Sequence, residues 1–236
     1  MRDPSMEFVS LDLHKLTITA DNKGKRLVSD RGFRPMTTGK RRLATLEVAP
    51  SIIFNTGDRL IPQSRLDDLQ ELTIAFCDST WGIGEWDICG CAYIEIGIDV
   101  DAGLSSLIMS AQYIQFDNLK PEFHLNKSGQ PGGIYWGKAH SRTWAVKLYQ
   151  KESGHCRFEA MIGRDAPQSM KVSNPYDKSQ IYGSFIDALS RARPLDSRSK
   201  DQINNHRNIK GPIKRVLQGD HWMKPVNHPE SDILFS

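Results

Sequence analysis

The chain has 236 residues, of which 39% are hydrophobic and 25% are charged, and its formal net charge is +3 at pH 7. This composition is ordinary for a soluble globular protein, and the length suits one sizeable domain. The sequence contains no run of about eighteen apolar residues and opens with the polar stretch MRDPSMEF, so we expect neither a membrane span nor a signal peptide.

The N-terminal quarter predicts two strands separated by a basic segment. Residues 11–20 and 43–55 show the apolar alternation of half-buried strands, and Pro50 interrupts the second. Residues 22–42 are rich in lysine and arginine, contain glycine and predict a loop or hairpin. This loop either contacts a phosphate backbone or only connects the two strands.

A helix and an acidic strand follow. Residues 63–78 predict a helix, with Ser64 as its N-cap. Acids occupy the next turn, where they suit the positive end of the helix dipole. Residues 89–101 alternate strictly from Tyr93 onward, and their isoleucines are expected to join the core. The carboxylates of the opposite face are those of Glu95, Asp99 and Asp101. They either bind a hard divalent cation such as Mg²⁺ or Mn²⁺, or form a solvated polar face.

The second half of the chain predicts short strands between helices. In chain order, these elements are a helix at 104–116, strands at 123–126, 134–137, 143–150 and 156–162, a helix at 179–193 and a weaker helical segment at 201–217. The order predicts an α+β fold with a mainly antiparallel sheet packed by helices, and it allows two similar halves. Residues 1–218 are assigned to one domain and residues 219–236 to an extended or poorly ordered tail.

The stretch from Gly132 to Asp165 concentrates reactive side chains. Tyr149 is flanked by Lys147 and Lys151, and Glu159 follows on an alternating strand beside Arg157. A phenol with a pKa of about 10 is a poor nucleophile, but neighbouring cations and a metal-polarised phosphate would activate it. Alternatively, the tyrosine is a packing residue at the end of a strand and the glutamate belongs to a surface salt bridge.

Several other chemistries lack their motifs. The seven histidines include no closely spaced pair, and the Cys89-x-Cys91 pair has no second pair with which to bind structural zinc. No phosphate-binding loop, dinucleotide fingerprint or nucleophile elbow occurs, so ATPase, dinucleotide-dependent and α/β-hydrolase functions have no support. The four scattered cysteines are expected to be reduced thiols.

Taken together, these segments resemble the replication initiators of filamentous phages and the related plasmid rolling-circle initiators. The similar elements are Ile134-Tyr135-Trp136-Gly137, Ser141-Arg142, Leu148-Tyr149-Gln150-Lys151 and Arg157-Phe158-Glu159. Upstream, Glu95-Ile96-Gly97-Ile98-Asp99 is similar to a family strand that carries two acids four residues apart. Here the arginine that usually introduces that strand is absent, and the first acid is Glu rather than the more usual Asp.

The resemblance implies a metal-dependent endonuclease that nicks a phage or plasmid origin, forms a 5′-phosphotyrosine link and later transfers the strand. Tyr149 would be the nucleophile and Lys151 the cation that stabilises the phosphate. Asp99, Glu159 and Glu95 would bind Mg²⁺ or Mn²⁺. The candidate DNA contacts are Arg41, Arg42, Lys138, Arg142, Lys147 and Arg157.

The implied partner is single- or double-stranded origin DNA, with a host helicase as a further candidate, in the cytoplasm of a bacterial host. Two other functions stay open, namely a non-catalytic DNA-binding relative that regulates or represses replication, and an interaction protein without nucleic acid. Catalysis requires Asp99, Glu159 and Tyr149 to converge within about 6–8 Å, a distance suited to one metal-bound phosphate. Their strands should therefore be neighbours in one sheet with their polar faces on the same side. The sequence leaves the oligomeric state open.

Overall fold

The computed structural model describes residues 9–21, 27–37, 42–57, 60–61, 63–100, 111–126, 129, 131–151 and 156–195. Several sequence predictions fall outside these ranges. They are the basic residues Lys23, Lys25, Arg26, Lys40 and Arg41, the acid Asp101, residues 104–110 of a predicted helix, the helical segment at 201–217 and the tail at 219–236.

The described residues form ten strands and three α-helices. In chain order, they are β1 (Ser10–Ala20), β2 (Phe33–Thr37), β3 (Leu43–Val48), α1 (Pro50–Ile53), α2 (Leu66–Trp81), β4 (Trp86–Val100), β5 (Ile114–Phe116), β6 (Pro121–Leu125), β7 (Pro131–Trp136), β8 (Trp144–Gln150), β9 (Cys156–Gly163), α3 (Lys178–Ser190) and β10 (Ala192–Pro194). None of these helices is long and apolar enough to cross a membrane.

Eight strands form one antiparallel sheet in the order β2-β3-β1-β4-β9-β8-β7-β6. β5 and β10 form a separate antiparallel ribbon. The predicted α+β fold with a mainly antiparallel sheet is therefore confirmed. Strands from the two halves of the chain occupy separate blocks that meet where β4 pairs with β9. The block β9-β8-β7-β6 is a simple meander, in which neighbouring strands are consecutive in the chain. In the block β2-β3-β1-β4, by contrast, β1 lies between β3 and β4, so the two halves differ in connectivity.

Three predicted elements differ in the structure, two at their boundaries and one in its type. The strand predicted at 43–55 ends at Val48, and Pro50 begins the short helix α1, because its fixed φ suits the first helical turn. Ser64 lies in a 3₁₀ turn, and Arg65 precedes α2 without a side-chain cap. Residues 114–116, predicted as the end of a helix, instead pair with β10. The Trp136 indole donates a hydrogen bond to the Ile114 carbonyl at 2.9 Å, so tertiary contacts determine this segment.

The two longer helices cover the isoleucine face of the sheet. His14 pairs with Ile94 in the β1–β4 register, so these two residues share a face. The His14 ring lies 3.2 Å from the Tyr176 hydroxyl, which donates to Thr73 of α2 at 2.9 Å. Phe185 of α3 packs edge-on against Phe158 of β9. Phe158 pairs with Ile98 of β4, so these two residues also share the helix-covered face. The polar row of β4 therefore lies on the opposite face.

Candidate active site

The face opposite α2 and α3 carries two rows of cross-strand partners. One row runs through Gly97, Glu159, Lys147 and Tyr135 on β4, β9, β8 and β7. The next row runs through Asp99, Arg157, Tyr149 and Gly133. Directly opposed residues in an antiparallel sheet share a face. The predicted adjacency of the Asp99, Glu159 and Tyr149 strands, with their polar residues on one side, is confirmed.

Three carboxylates converge on this face. One oxygen each from Asp12, Glu95 and Glu159 lies within 4.8 Å of the others, and both glutamates are buried. Asp12 reaches the cluster because the β1–β4 register is irregular between Leu11 and Leu13, which leaves it as the extra residue of a bulge. A bulge redirects a side chain, and here it brings a third carboxylate to the two glutamates.

Tyr149 is joined directly to this carboxylate cluster. Its hydroxyl donates a hydrogen bond to Glu159 Oε2 at 3.0 Å. The ammonium groups of Lys147 and Lys151 lie 5.0 Å and 5.6 Å from the centre of its ring. Burial, together with the negative charge of Glu159, raises the pKa of the Tyr149 phenol well above its ordinary value. The phenol is therefore protonated near neutral pH, and Glu159 is placed to accept its proton.

Lys147 inserts a positive charge between two of the carboxylates. Its ammonium group contacts Glu159 Oε1 and lies 3.9 Å from Glu95 Oε2. Burial alone would lower the pKa of Lys147, but the charges of Glu159 and Glu95 outweigh burial and raise it. Burial raises the pKa of Glu159, with further increases from Glu95 and Asp12 and an opposing effect from Lys147. Lys147 therefore stays charged, while the carboxylate cluster still has an excess of negative charge that favours a bound proton or cation.

Asp99 is bound by a buried arginine and is not one of the three clustered carboxylates. Arg157 donates to both Asp99 oxygens, from Nε at 2.6 Å and from Nη2 at 2.9 Å, and its Nη1 donates to Asp12 at 3.0 Å. The arginine side chain is completely buried. Among the described residues, Asp12 thus occupies the third position of the carboxylate cluster that the sequence pattern suggested for Asp99. Arg157, suggested as a DNA contact, is enclosed by the two aspartates.

Glu95 is oriented by one neighbour on its own strand and by another in the loop between β7 and β8. The Tyr93 hydroxyl donates to Glu95 Oε1 at 2.6 Å, and burial raises the pKa of that phenol above its ordinary range. His140 Nδ1 lies 3.8 Å from the same carboxylate oxygen, and its ring packs against Tyr93. The Glu95 carboxylate is thus fixed towards Asp12 and Glu159.

Three of the remaining predicted DNA contacts lie on exposed surface near β3, β7 and β8. Lys138 and Arg142 are exposed beyond β7, and Arg142 pairs with Asp165 at 2.9 Å. Arg42 is exposed in the turn before β3, and Arg41 lies outside the described residues. Lys138, Arg142 and Arg42 are accessible to solvent, whereas Lys147 and Arg157 neutralise carboxylates inside the site.

The donor set suits a hard cation. Three carboxylates offer only oxygen ligands at close spacing, which Mg²⁺ and Mn²⁺ prefer over soft ligands. The sequence matches no protein-family model and no curated protein. A function for this chain therefore rests on the residues and geometry of the site itself.

Proposed function

We propose that the protein is a metal-dependent DNA-nicking and strand-transferring endonuclease that initiates rolling-circle replication at a phage or plasmid origin. The single observation that carries this proposal is the hydrogen bond from Tyr149 to Glu159, a member of the carboxylate cluster. It joins a nucleophile, a proton acceptor and candidate metal ligands in one place.

The reaction follows from these positions. The Tyr149 oxygen attacks the scissile phosphorus while its proton passes to Glu159, since the raised pKa of the phenol requires a base. A phosphorus–oxygen bond to tyrosine forms, and the bond to the 3′ oxygen breaks. The 3′ oxygen takes up a proton from solvent, and the 5′ end stays linked to the protein. Strand transfer is the same displacement in reverse, with a 3′ hydroxyl as the attacking group.

Other side chains stabilise charge in this scheme. Asp12, Glu95 and Glu159 would hold a divalent cation, which when bound supplies charge stabilisation at the phosphate. Lys151 is half-buried beside the Tyr149 ring and would neutralise the developing charge on the phosphate oxygens. Asp99 acts through Arg157 and is a positioning residue rather than a metal ligand in this proposal.

Formation of a covalent adduct tests the proposal. The protein is incubated with Mn²⁺ and a labelled pool of single-stranded DNA of random sequence, and adducts are detected on denaturing gels. Tyr149→Phe should abolish the adduct because only the attacking hydroxyl is lost. Tyr113→Phe, which removes a hydroxyl outside the site, is the matched control and should react like the wild type. An adduct that persists in Tyr149→Phe, with the linkage mapped to another residue, would remove Tyr149 from the reaction.

One observation favours a second candidate, a non-catalytic DNA-binding regulator of replication. The Lys147 ammonium already contacts Glu159 and neighbours Glu95, so it neutralises part of the carboxylate charge without a metal. A regulator would bind DNA but form no adduct at any Mn²⁺ concentration, and calorimetric titration would detect no Mn²⁺ binding. Mn²⁺ binding that is lost in Glu159→Gln would favour the enzyme.

A further inference from the structure

A pair of stacked rings lies beside Tyr149 on the same face of the sheet. The rings of His124 on β6 and Tyr135 on β7 have centroids 4.0 Å apart and planes inclined by 24°. Tyr135 is the register partner of Lys147, and His124 is the partner of Gly133, which in turn pairs with Tyr149. The ring pair therefore continues the two rows of the site towards the edge of the sheet.

Gly133 keeps the space between this pair and Tyr149 free of a side chain. A Cβ atom at Gly133 would lie 2.9 Å from the Cβ of Tyr149 and 2.6 Å from the Leu148 carbonyl oxygen, so any larger residue would collide with β8. Tyr135 and Tyr149 are diagonal neighbours on adjacent strands, a relation that places their Cα atoms about 7–8 Å apart. That distance is within the reach of a single nucleotide.

The ring pair is accessible because β6 is the edge of the sheet. His124 is exposed and Tyr135 is half-buried, and β6 is exposed from Glu122 to Leu125. Exposed Lys120 precedes β6 and exposed Lys138 follows β7, at the end of the hairpin where Pro121 pairs with Trp136, and half-buried Lys151 follows β8. Accessible rings next to cations are the features by which proteins hold single-stranded nucleic acid without reading its sequence.

We infer that His124 and Tyr135 form a stacking platform for an unpaired base of the substrate strand, next to the phosphate that Tyr149 attacks. This inference rests on the proposed function and deepens it, because it assigns single-stranded rather than duplex DNA to the site. Stacking uses the π-face that every base has, so the platform holds the strand without selecting a sequence. Stacking at this position would keep the scissile phosphate near the nucleophile.

Equilibrium binding tests the platform separately from chemistry. A fluorescein-labelled single-stranded 12-mer is titrated with the Tyr149→Phe protein in EDTA, so that neither cleavage nor metal contributes. Adding His124→Leu and Tyr135→Leu should weaken binding by about 5- to 100-fold, the effect of losing one stacked base. The salt dependence of binding should stay the same, because no phosphate contact is removed. Tyr135→Phe, which retains the ring, should bind like the parent protein.

Phe123→Leu is the matched control, because Phe123 is an exposed ring on the opposite face of β6. It should leave affinity unchanged, and an equal loss there would mean general damage to β6 and would overturn the inference. Unchanged affinity in the double leucine variant would also overturn it, while the adduct assay with wild-type protein would still decide the nicking function independently. The platform would also be excluded if the parent protein did not bind single-stranded DNA. The same conclusion would follow if the double leucine variant lost as much affinity for a 12-base-pair duplex as for the single strand.

Discussion

The two faces of the central sheet bury titratable groups in opposite states, neutral on one face and charged on the other. On the face covered by α2 and α3, the buried His14 is kept neutral, and burial lowers its pKa to about 3. On the opposite face, Arg157 and Lys147 stay charged because carboxylates surround them. Moving an ion from water into a protein costs several kcal/mol, and a partner of opposite charge offsets that cost only when the pairing geometry is excellent. The second face therefore retains an arrangement that stability alone does not favour, as expected of a functional site.

The largest expected effect comes from breaking the ion network. Arg157→Met leaves the buried Asp99 and the half-buried Asp12 without their cation and should lower the free energy of unfolding by about 3–5 kcal/mol. Urea denaturation measures this change. Arg142→Met removes an exposed partner of Asp165 and should cost no more than about 1 kcal/mol. Similar losses in the two variants would mean that the site face has no special dependence on its buried charges.

An intermediate effect is expected on the helix-covered face. When pH falls below about 6.5, His14 takes up a proton in the unfolded chain but not in the folded protein, whose His14 pKa is about 3. Between these values the unfolded state binds more protons, so stability decreases as pH decreases. At pH 5 the loss from this residue is about 2 kcal/mol relative to pH 7.5.

His14→Gln should remove that part of the pH dependence, although it also changes the contact with Tyr176. The free energy of unfolding is measured at pH 7.5 and at pH 5, and the change between the two pH values is compared in wild type and variant. His124→Gln changes an exposed histidine and is the control for replacing an imidazole with an amide. If His14→Gln kept the wild-type pH dependence, the buried imidazole would not be the neutral group described above.

The sequence predicted side-chain orientation correctly wherever apolar and polar residues alternated regularly along a strand. Strict alternation from Tyr93 predicted both faces of β4, and it predicted that Glu95 and Asp99 share a side. The alternation of β8 and β9 likewise predicted that Tyr149 and Glu159 are positioned by paired strands. Local pattern decides which face a residue takes, because the side-chain period of a strand is two.

The pattern could not identify which carboxylates meet. Glu95 and Asp99 look equivalent along the strand, and only the register with Arg157 on β9 separates them. Asp12 was missed because a bulge takes it out of alternation. The sequence carries a sign of this irregularity, since the apolar positions of β1 change from odd to even numbers between Leu11 and Leu16, the stretch that contains the bulge. Pairing partners and bulges depend on distant strands, which single-strand periodicity does not encode.

The smallest expected effect in free energy tests this difference between Asp12 and Asp99. Asp12→Asn should weaken Mn²⁺ binding at least about tenfold, or about 1.4 kcal/mol, because one of three clustered carboxylates is lost. Asp99→Asn should weaken it less, since its carboxylate is bound by Arg157 and acts on the cluster only indirectly. Calorimetric titration of both variants at one pH measures the two effects, with circular dichroism as the check on folding. If Asp99→Asn cost more than Asp12→Asn, Asp99 rather than the bulged Asp12 would be the third ligand, and the ion pair with Arg157 would have to open when the cation binds.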